Sequence, residues 1–137
     1  MAAIKILDAY ALLAFLEDEP GADQVRNLLL RAEEGSLKLA MTVVNLGEVW
    51  YAIARASTPA LADELIRDIQ GMAIEIVDVD WPLARQAAAF KAKGRMAYSD
   101  CFAAALAKLR KAEVVTGDPE FKRLEGGGQA SVAVTGA

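Results

Sequence analysis

Apolar residues along this chain follow two rhythms. Residues 4–7, 37–42, 74–79, 113–116 and 131–134 are short runs of strand length, most of them rich in Val, Ile or Leu. Between them, apolar positions recur three and four apart, the spacing of a helix face. Residues 9–17 carry Leu12, Leu13, Phe15 and Leu16 on one side, and Asp18-Glu19-Pro20-Gly21 is a turn cluster. Val25, Leu28, Leu29 and Ala32 mark a helix to about residue 34, ended by Gly35. Residues 43–56 form a long helix with Leu46, Trp50 and Ile53 as its stripe. Thr58 as cap and Pro59 at the first position open the next helix, whose stripe is Leu61, Ala62, Leu65, Ile66 and Ile69; Gly71 closes it. Asp80-Trp81-Pro82 opens a helix that ends before Gly94, and Ser99 is the expected cap of a helix over residues 100–111, buried through Phe102, Ala103, Leu106 and Leu109. Gly117-Asp118-Pro119-Glu120-Phe121 predicts a turn into a short helix, Gly126-Gly127-Gly128 a flexible joint, and residues 131–134 an edge strand.

Strands separated by helices predict an α/β domain, a parallel sheet with helices on both faces. The 137 residues suit one domain spanning 1–137, with no repeat and no boundary. A composition 55% hydrophobic and 25% charged fits a packed core rather than disorder. Net charge is -4, with no basic tail, which argues against tight sequence-blind binding to a polyanion. A single cysteine, Cys101, permits no intrachain disulfide and fits a reducing cytoplasm. The start has no signal-peptide pattern, and no apolar run approaches the ~18 residues of a membrane span. The chain has no histidine. That excludes Ser-His-Asp and Cys-His nucleophilic systems, histidine-ligated zinc and a histidine base. Catalysis has to rest on carboxylates, hydroxyls, Lys, Arg or bound metal.

Asp8 ends the first strand run, where ligands of open parallel sheets bind. It is either a helix cap or the wall of an active site. Glu48 stands one turn into the helix after the second strand, three residues from Asn45 and on the same face. Asp100 opens the helix before the fourth strand, and Asp118 follows that strand. Each acid also fits a bland role, as a cap, a first-turn dipole partner or an exposed glutamate. Together they suit Mg²⁺ or Mn²⁺, which prefer oxygen ligands. Two such ions about 4 Å apart hold attacking and leaving oxygens in line.

Four segments in order, Ile6-Leu7-Asp8-Ala9-Tyr10-Ala11-Leu12-Leu13, Asn45-Leu46-Gly47-Glu48-Val49, Ser99-Asp100-Cys101-Phe102-Ala103-Ala104-Ala105-Leu106-Ala107 and Val115-Thr116-Gly117-Asp118-Pro119-Glu120-Phe121, resemble the PIN-domain ribonucleases, specifically VapC-type toxins of toxin–antitoxin pairs. The resemblance covers essentially the whole chain. It implies a three-layer α/β/α sandwich with a small, mostly parallel central sheet, and a Mg²⁺- or Mn²⁺-dependent endoribonuclease in the cytoplasm. Asp8, Glu48, Asp100 and Asp118 would be the acidic quartet, with Asp8 and Asp100 as direct metal ligands. Glu48 would act through water or position the nucleophile, and Asp118 would complete the site. Thr116 would orient water or Asp118, and Asn45 would steady Asp8 or the loop behind it. The chain departs from many relatives at Ala9 and Tyr10, where they carry small hydroxyl residues. The resemblance also implies a homodimer and a cognate antitoxin, for which residues 12–30 and 46–69 offer apolar surface.

Lys91, Lys93 and Arg95, beside Tyr98 and Asp100, are the candidate RNA contacts; Lys108, Arg110 and Lys111 read as helix-end cations. Tyr10, Trp50 and Tyr51 are candidates for base stacking, although the place of Trp50 on its stripe favours core. Two other readings compete: a receiver-like phosphoacceptor domain, which lacks its early acid pair here, and a catalytically inactive PIN-like interaction module.

Overall fold

The computed structural model describes residues 3–116 and 131–134. Its elements run β1 (Ala3–Leu7), α1 (Ala9–Leu16), α2 (Ala22–Glu33), β2 (Leu37–Thr42), α3 (Val43–Ala56), α4 (Pro59–Gln70), β3 (Ile74–Val77), α5 (Trp81–Lys93), α6 (Tyr98–Arg110), β4 (Glu113–Thr116) and β5 (Ser131–Val134). The five strands form one sheet in the order β3-β2-β1-β4-β5, every neighbouring pair parallel.

Side chains alternate across a strand, and each inner strand feeds two cores. Ile6, Ala40 and Val114 face one core with Leu83, Ala87 and Phe90 of α5 and the buried run Cys101 to Ala107 of α6. Their neighbours Leu7, Leu39, Met41 and Val115 face the other, with Leu12, Val25, Leu46, Val49 and Ile69 from α1 to α4. The result is the expected α/β/α sandwich. β1 leads to β2 and β2 to β3 in one direction. The chain then crosses β2 and β1 to lay β4 on the far side of β1. The switch point of the sheet therefore lies between β1 and β4.

Local chemistry sets most boundaries. Thr58 Oγ1 accepts from Leu61 N at 3.1 Å with Pro59 at the first position, and Asp80 Oδ1 accepts from Leu83 N at 3.0 Å. Gly35, at φ +83, follows α2 in the left-handed conformation that glycine adopts without a Cβ penalty. Three expectations shift. β3 ends at Val77 rather than residue 79, because the chain turns there toward the Asp80 cap and leaves Val79 exposed. α6 begins at Tyr98, behind Ala97, so Ser99 lies inside the helix and does not cap it. Leu109 is exposed rather than buried, since the last turn of α6 runs out of the core. The short helix expected after Gly117 and the Gly126-Gly127-Gly128 joint lie outside the described residues. No described helix is long and apolar enough to cross a membrane.

Candidate active site

Four polar residues among those described are buried: Asp8, Thr42, Asn45 and Thr116. All four belong to the carboxyl end of the sheet. β1 pairs with β4 through Leu7 and Val115, so one step further Asp8 stands beside Thr116, across the switch point. The β1–β2 register, continued two residues past Ile6 and Ala40, sets Asp8 beside Thr42 on its other flank. A buried polar group is costly unless it is hydrogen-bonded. A row of three on adjacent strand ends, with Asn45 beside it as the fourth buried polar residue among those described, is therefore a built feature.

Asp8 is 1% exposed and is the N-cap of α1, its Oδ1 accepting from Ala11 N at 2.8 Å. The cap and the candidate site are thus the same residue: the main-chain bond fixes the carboxylate at the strand end. Ala9 behind it is buried, and Tyr10 is half exposed.

Thr42 caps α3. Its hydroxyl accepts from Asn45 N at 3.1 Å and donates to Asn45 Oδ1 at 2.5 Å. That leaves Asn45 Nδ2 to donate to the carbonyl of Ser99 at 2.9 Å, across 54 residues of chain. Asn45 therefore bonds to Thr42 on its own helix start and to Ser99 on another. The consequence is larger. The start of α3, which carries Glu48, is tied to the start of α6, which carries Asp100 in its first turn. Thr42 was not singled out from the sequence. The signal was present, a threonine three residues before an amide at a strand-to-helix junction, which is a capping-box spacing.

Glu48 and Asp100 are both half-buried. Glu48 Oε1 is buried with no hydrogen-bond partner among the described residues. Three acids, Asp8, Glu48 and Asp100, thus come from elements that start at one edge of the sheet, with Thr116 beside them. Asp118 lies outside the described residues, as does Glu120. Among the described residues, no three Asp, Glu or Cys side chains lie close enough to hold an ion by themselves. The donors nonetheless suit a hard cation. They are oxygens without histidine, Mg²⁺ is commonly held by one or two carboxylates plus water, and Glu48 brings a buried oxygen in need of a partner.

Lys93 and Arg95 are exposed in the connection that leads into α6. Lys91 Nζ donates to the Met96 carbonyl at 2.8 Å and so braces that connection. Trp50 is half-buried and donates through Nε1 to Asp63 at 2.9 Å, in keeping with a packing role. Asp80 serves α5 as a cap, the role its sequence predicts.

The PIN domain family profile matches residues 5–127. Comparison with curated protein sequences returns no significant match. Among solved structures, the chain is similar to VapBC2 from Rickettsia felis bound to a DNA fragment from the promoter, with TM-score 0.73, 18% identity, and 96% of this chain and 98% of that chain covered. DNA-bound VapBC from Salmonella typhimurium gives TM-score 0.73 at 18% identity, covering 98% of each chain. VapC20 from Mycobacterium tuberculosis, a sarcin-ricin loop cleaving toxin, gives 0.63 at 17%, covering 87% of this chain and 93% of that one. At these identities the likeness is one of fold.

Proposed function

The chain belongs to the PIN domain family, and from that premise we propose that it is a Mg²⁺- or Mn²⁺-dependent endoribonuclease of the VapC type, a toxin held silent by a cognate antitoxin. The observation that carries this reading is the row of Asp8, Thr42 and Thr116 on three strand ends beside the switch point, with Asn45 behind it. Asp8 and Asp100 would hold the ion, Glu48 would reach it through water, and Asp118 would complete the set. A bound divalent ion supplies a water of lowered pKa and offsets the charge that builds on the phosphate.

The chain's own residues do the positioning. Ala11 N–H fixes the Asp8 carboxylate, and the Thr42–Asn45–Ser99 relay fixes the first turn of α6 and with it the backbone of Asp100. The buried Oε1 of Glu48, with no partner among the described residues, would accept a hydrogen bond from an attacking water and so position it. Among the described residues, Lys93 and Arg95, exposed in the connection into α6, are cations available to the RNA backbone.

A protein partner is supported by exposed Leu30, Tyr51 and Leu61 on α2, α3 and α4. An apolar cleft of ≈ 200 Å³ at Leu30 is lined also by Phe15, Leu29 and Met72, with Arg26 and Glu33 at its edge. The Rickettsia and Salmonella structures are VapBC on DNA, and VapBC-5 from Mycobacterium tuberculosis is a member of the VapBC family of toxin–antitoxin systems, which supports an antitoxin here. A second copy of the chain is the other occupant proposed for this apolar surface, and a monodisperse monomer on light scattering would remove the homodimer.

The test is cleavage of short RNAs by the purified chain with Mn²⁺ or Mg²⁺. Cleavage should stop with EDTA and fall about 10³-fold or more in Asp8→Asn and Asp100→Asn, with the circular dichroism spectrum unchanged. Cleavage indifferent to EDTA would remove the metal. No cleavage and no Mn²⁺ binding by calorimetry would leave an inactive PIN module.

A further inference from the structure

We propose that Tyr10 and Tyr98 are paired stacking platforms for the unpaired bases on either side of the phosphate to be cut. The inference rests on the ribonuclease reading above. Each tyrosine stands two residues from one of the two acids proposed to hold the ion, Tyr10 after Asp8 and Tyr98 before Asp100. Each lies in the first turn of a helix that starts at the carboxyl edge of the sheet, and the Asn45–Ser99 bond holds the second of those starts against α3. Side chains on a helix tilt toward its N-terminus, so a ring in the first turn leans over the rim rather than along the helix.

Both rings are held open. Tyr10 is 50% exposed and Tyr98 47%, while their neighbours Ala9, Ala11, Cys101 and Phe102 are buried. Phe102 meets the Tyr98 ring edge-on, centroids 5.0 Å apart, and braces it. Aromatic rings elsewhere are differently placed. Phe15 and Tyr51 lie under the guanidinium groups of Arg26 and Arg55 at 5.9 and 5.0 Å, and Trp50 is hydrogen-bonded to Asp63. Trp81 is more exposed, at 72%, but it begins α5, whose far end leads into α6. A helix of 13 residues sets it about 20 Å from that junction. Stacking on tyrosine reads the flat face of a base and tolerates any sequence, but the base must be out of a duplex. Two such faces flanking the acids define a site for single-stranded RNA.

The experiment uses a short single-stranded RNA that contains a mapped cleavage site. Tyr10→Leu and Tyr98→Leu should each raise KM about tenfold with kcat within about twofold, the size of one lost base stack. Tyr10→Phe and Tyr98→Phe should restore the wild-type KM, and Trp81→Leu should leave it unchanged. An abasic nucleotide next to the scissile phosphate should erase the difference between wild type and the matching leucine variant. Unchanged KM in either leucine variant, a fall in kcat alone, or a penalty that persists on the abasic RNA overturns the pairing while the ribonuclease reading stands. If the wild-type chain cuts no RNA, both fall together.

Discussion

The two ends of the central sheet treat carboxylates in opposite ways. Toward the amino end, acids meet bases. Arg110 grips Glu75 with two hydrogen bonds of 2.8 and 2.9 Å, and Lys5 meets Glu113 at 2.5 Å, all near the surface. At the carboxyl end Asp8 is buried and held by a main-chain N–H, and Glu48 keeps a buried oxygen with no described partner. Surface ion pairs of the first kind contribute little and cost little. A buried carboxylate is costly unless something compensates it, so a fold that keeps one at a strand end retains it for a reason other than stability. One end pairs its acids with bases near the surface; the other keeps carboxylate oxygen buried at the strand and helix starts.

The sharpest way to break that contrast is to neutralise one acid at each end. Asn caps a helix as well as Asp does, so Asp8→Asn keeps the start of α1 and removes only charge. RNA cleavage should fall about 10³-fold, with the melting temperature held or raised because a buried charge is gone. Glu113→Gln should leave cleavage within twofold and stability within about 0.5 kcal/mol. Equal losses of activity at both ends would show that the carboxyl end is not special.

The next effect lies in the relay behind the acids. Asn45→Ala deletes the partner of both the Thr42 hydroxyl and the Ser99 carbonyl at a fully buried position. Leaving buried polar groups unsatisfied should cost about 2–3 kcal/mol, several degrees in melting temperature for a chain of this size. Cleavage should drop with it, because the first turn of α6 loses its tie to α3. Thr58→Ala removes a cap of similar geometry far from the rim and should cost only about 1 kcal/mol, with activity intact.

What could be read in advance divides along the same line. α4 and α5 sit where their sequences place them, because Thr58-Pro59, Asp80-Trp81-Pro82, Gly71 and Gly94 are local signals with local causes. The acids at strand and helix ends were legible too, since Asp8 and Asp100 sit at junctions that the hydrophobic rhythm marks. The start of α6 was not. No side chain caps it at Ala97, and its Ser99 carbonyl bonds to an amide 54 residues away, so no local pattern marks it. The weight carried by Thr42 was hidden for the same reason: its burial comes from its neighbours in the sheet, not from its own segment. Asp118 lies outside the described residues, and its place in the quartet stays part of the proposal.

Gly47 sharpens the contrast from the other side. It lies inside α3, next to Glu48, and a Cβ built there meets nothing within 4 Å. No packing demand explains it, and glycine inside a helix is unfavourable by roughly 0.5–1 kcal/mol relative to alanine. Gly47→Ala should therefore raise the melting temperature by a few degrees. If KM for RNA rises at the same time, the open space beside Glu48 belongs to the substrate; if activity is unchanged, the glycine is only a weak point in the helix.

The smallest effect belongs to the amino end. The hydrogen bonds from Arg110 hold the Glu75 carboxyl below the ordinary 4.5, with burial opposing and the positive charges of Arg110 and Lys38 assisting. Its pKa is thus lower folded than unfolded, so the pair stabilises the fold above about pH 4.5 and loses that contribution as pH falls through the folded value. The Glu75 side chain is 58% exposed, and solvent screening limits the effect to a few tenths of a kcal/mol, roughly what a surface pair supplies. Glu75→Gln should therefore lower the melting temperature slightly at pH 7, and the gap to wild type should close as pH falls through the folded-state value, below the ordinary 4.5. Added salt should shrink the same gap at neutral pH. A gap that stays open at low pH would mean that β3 and α6 are held together here by packing, and the amino end would then owe nothing to its paired charges.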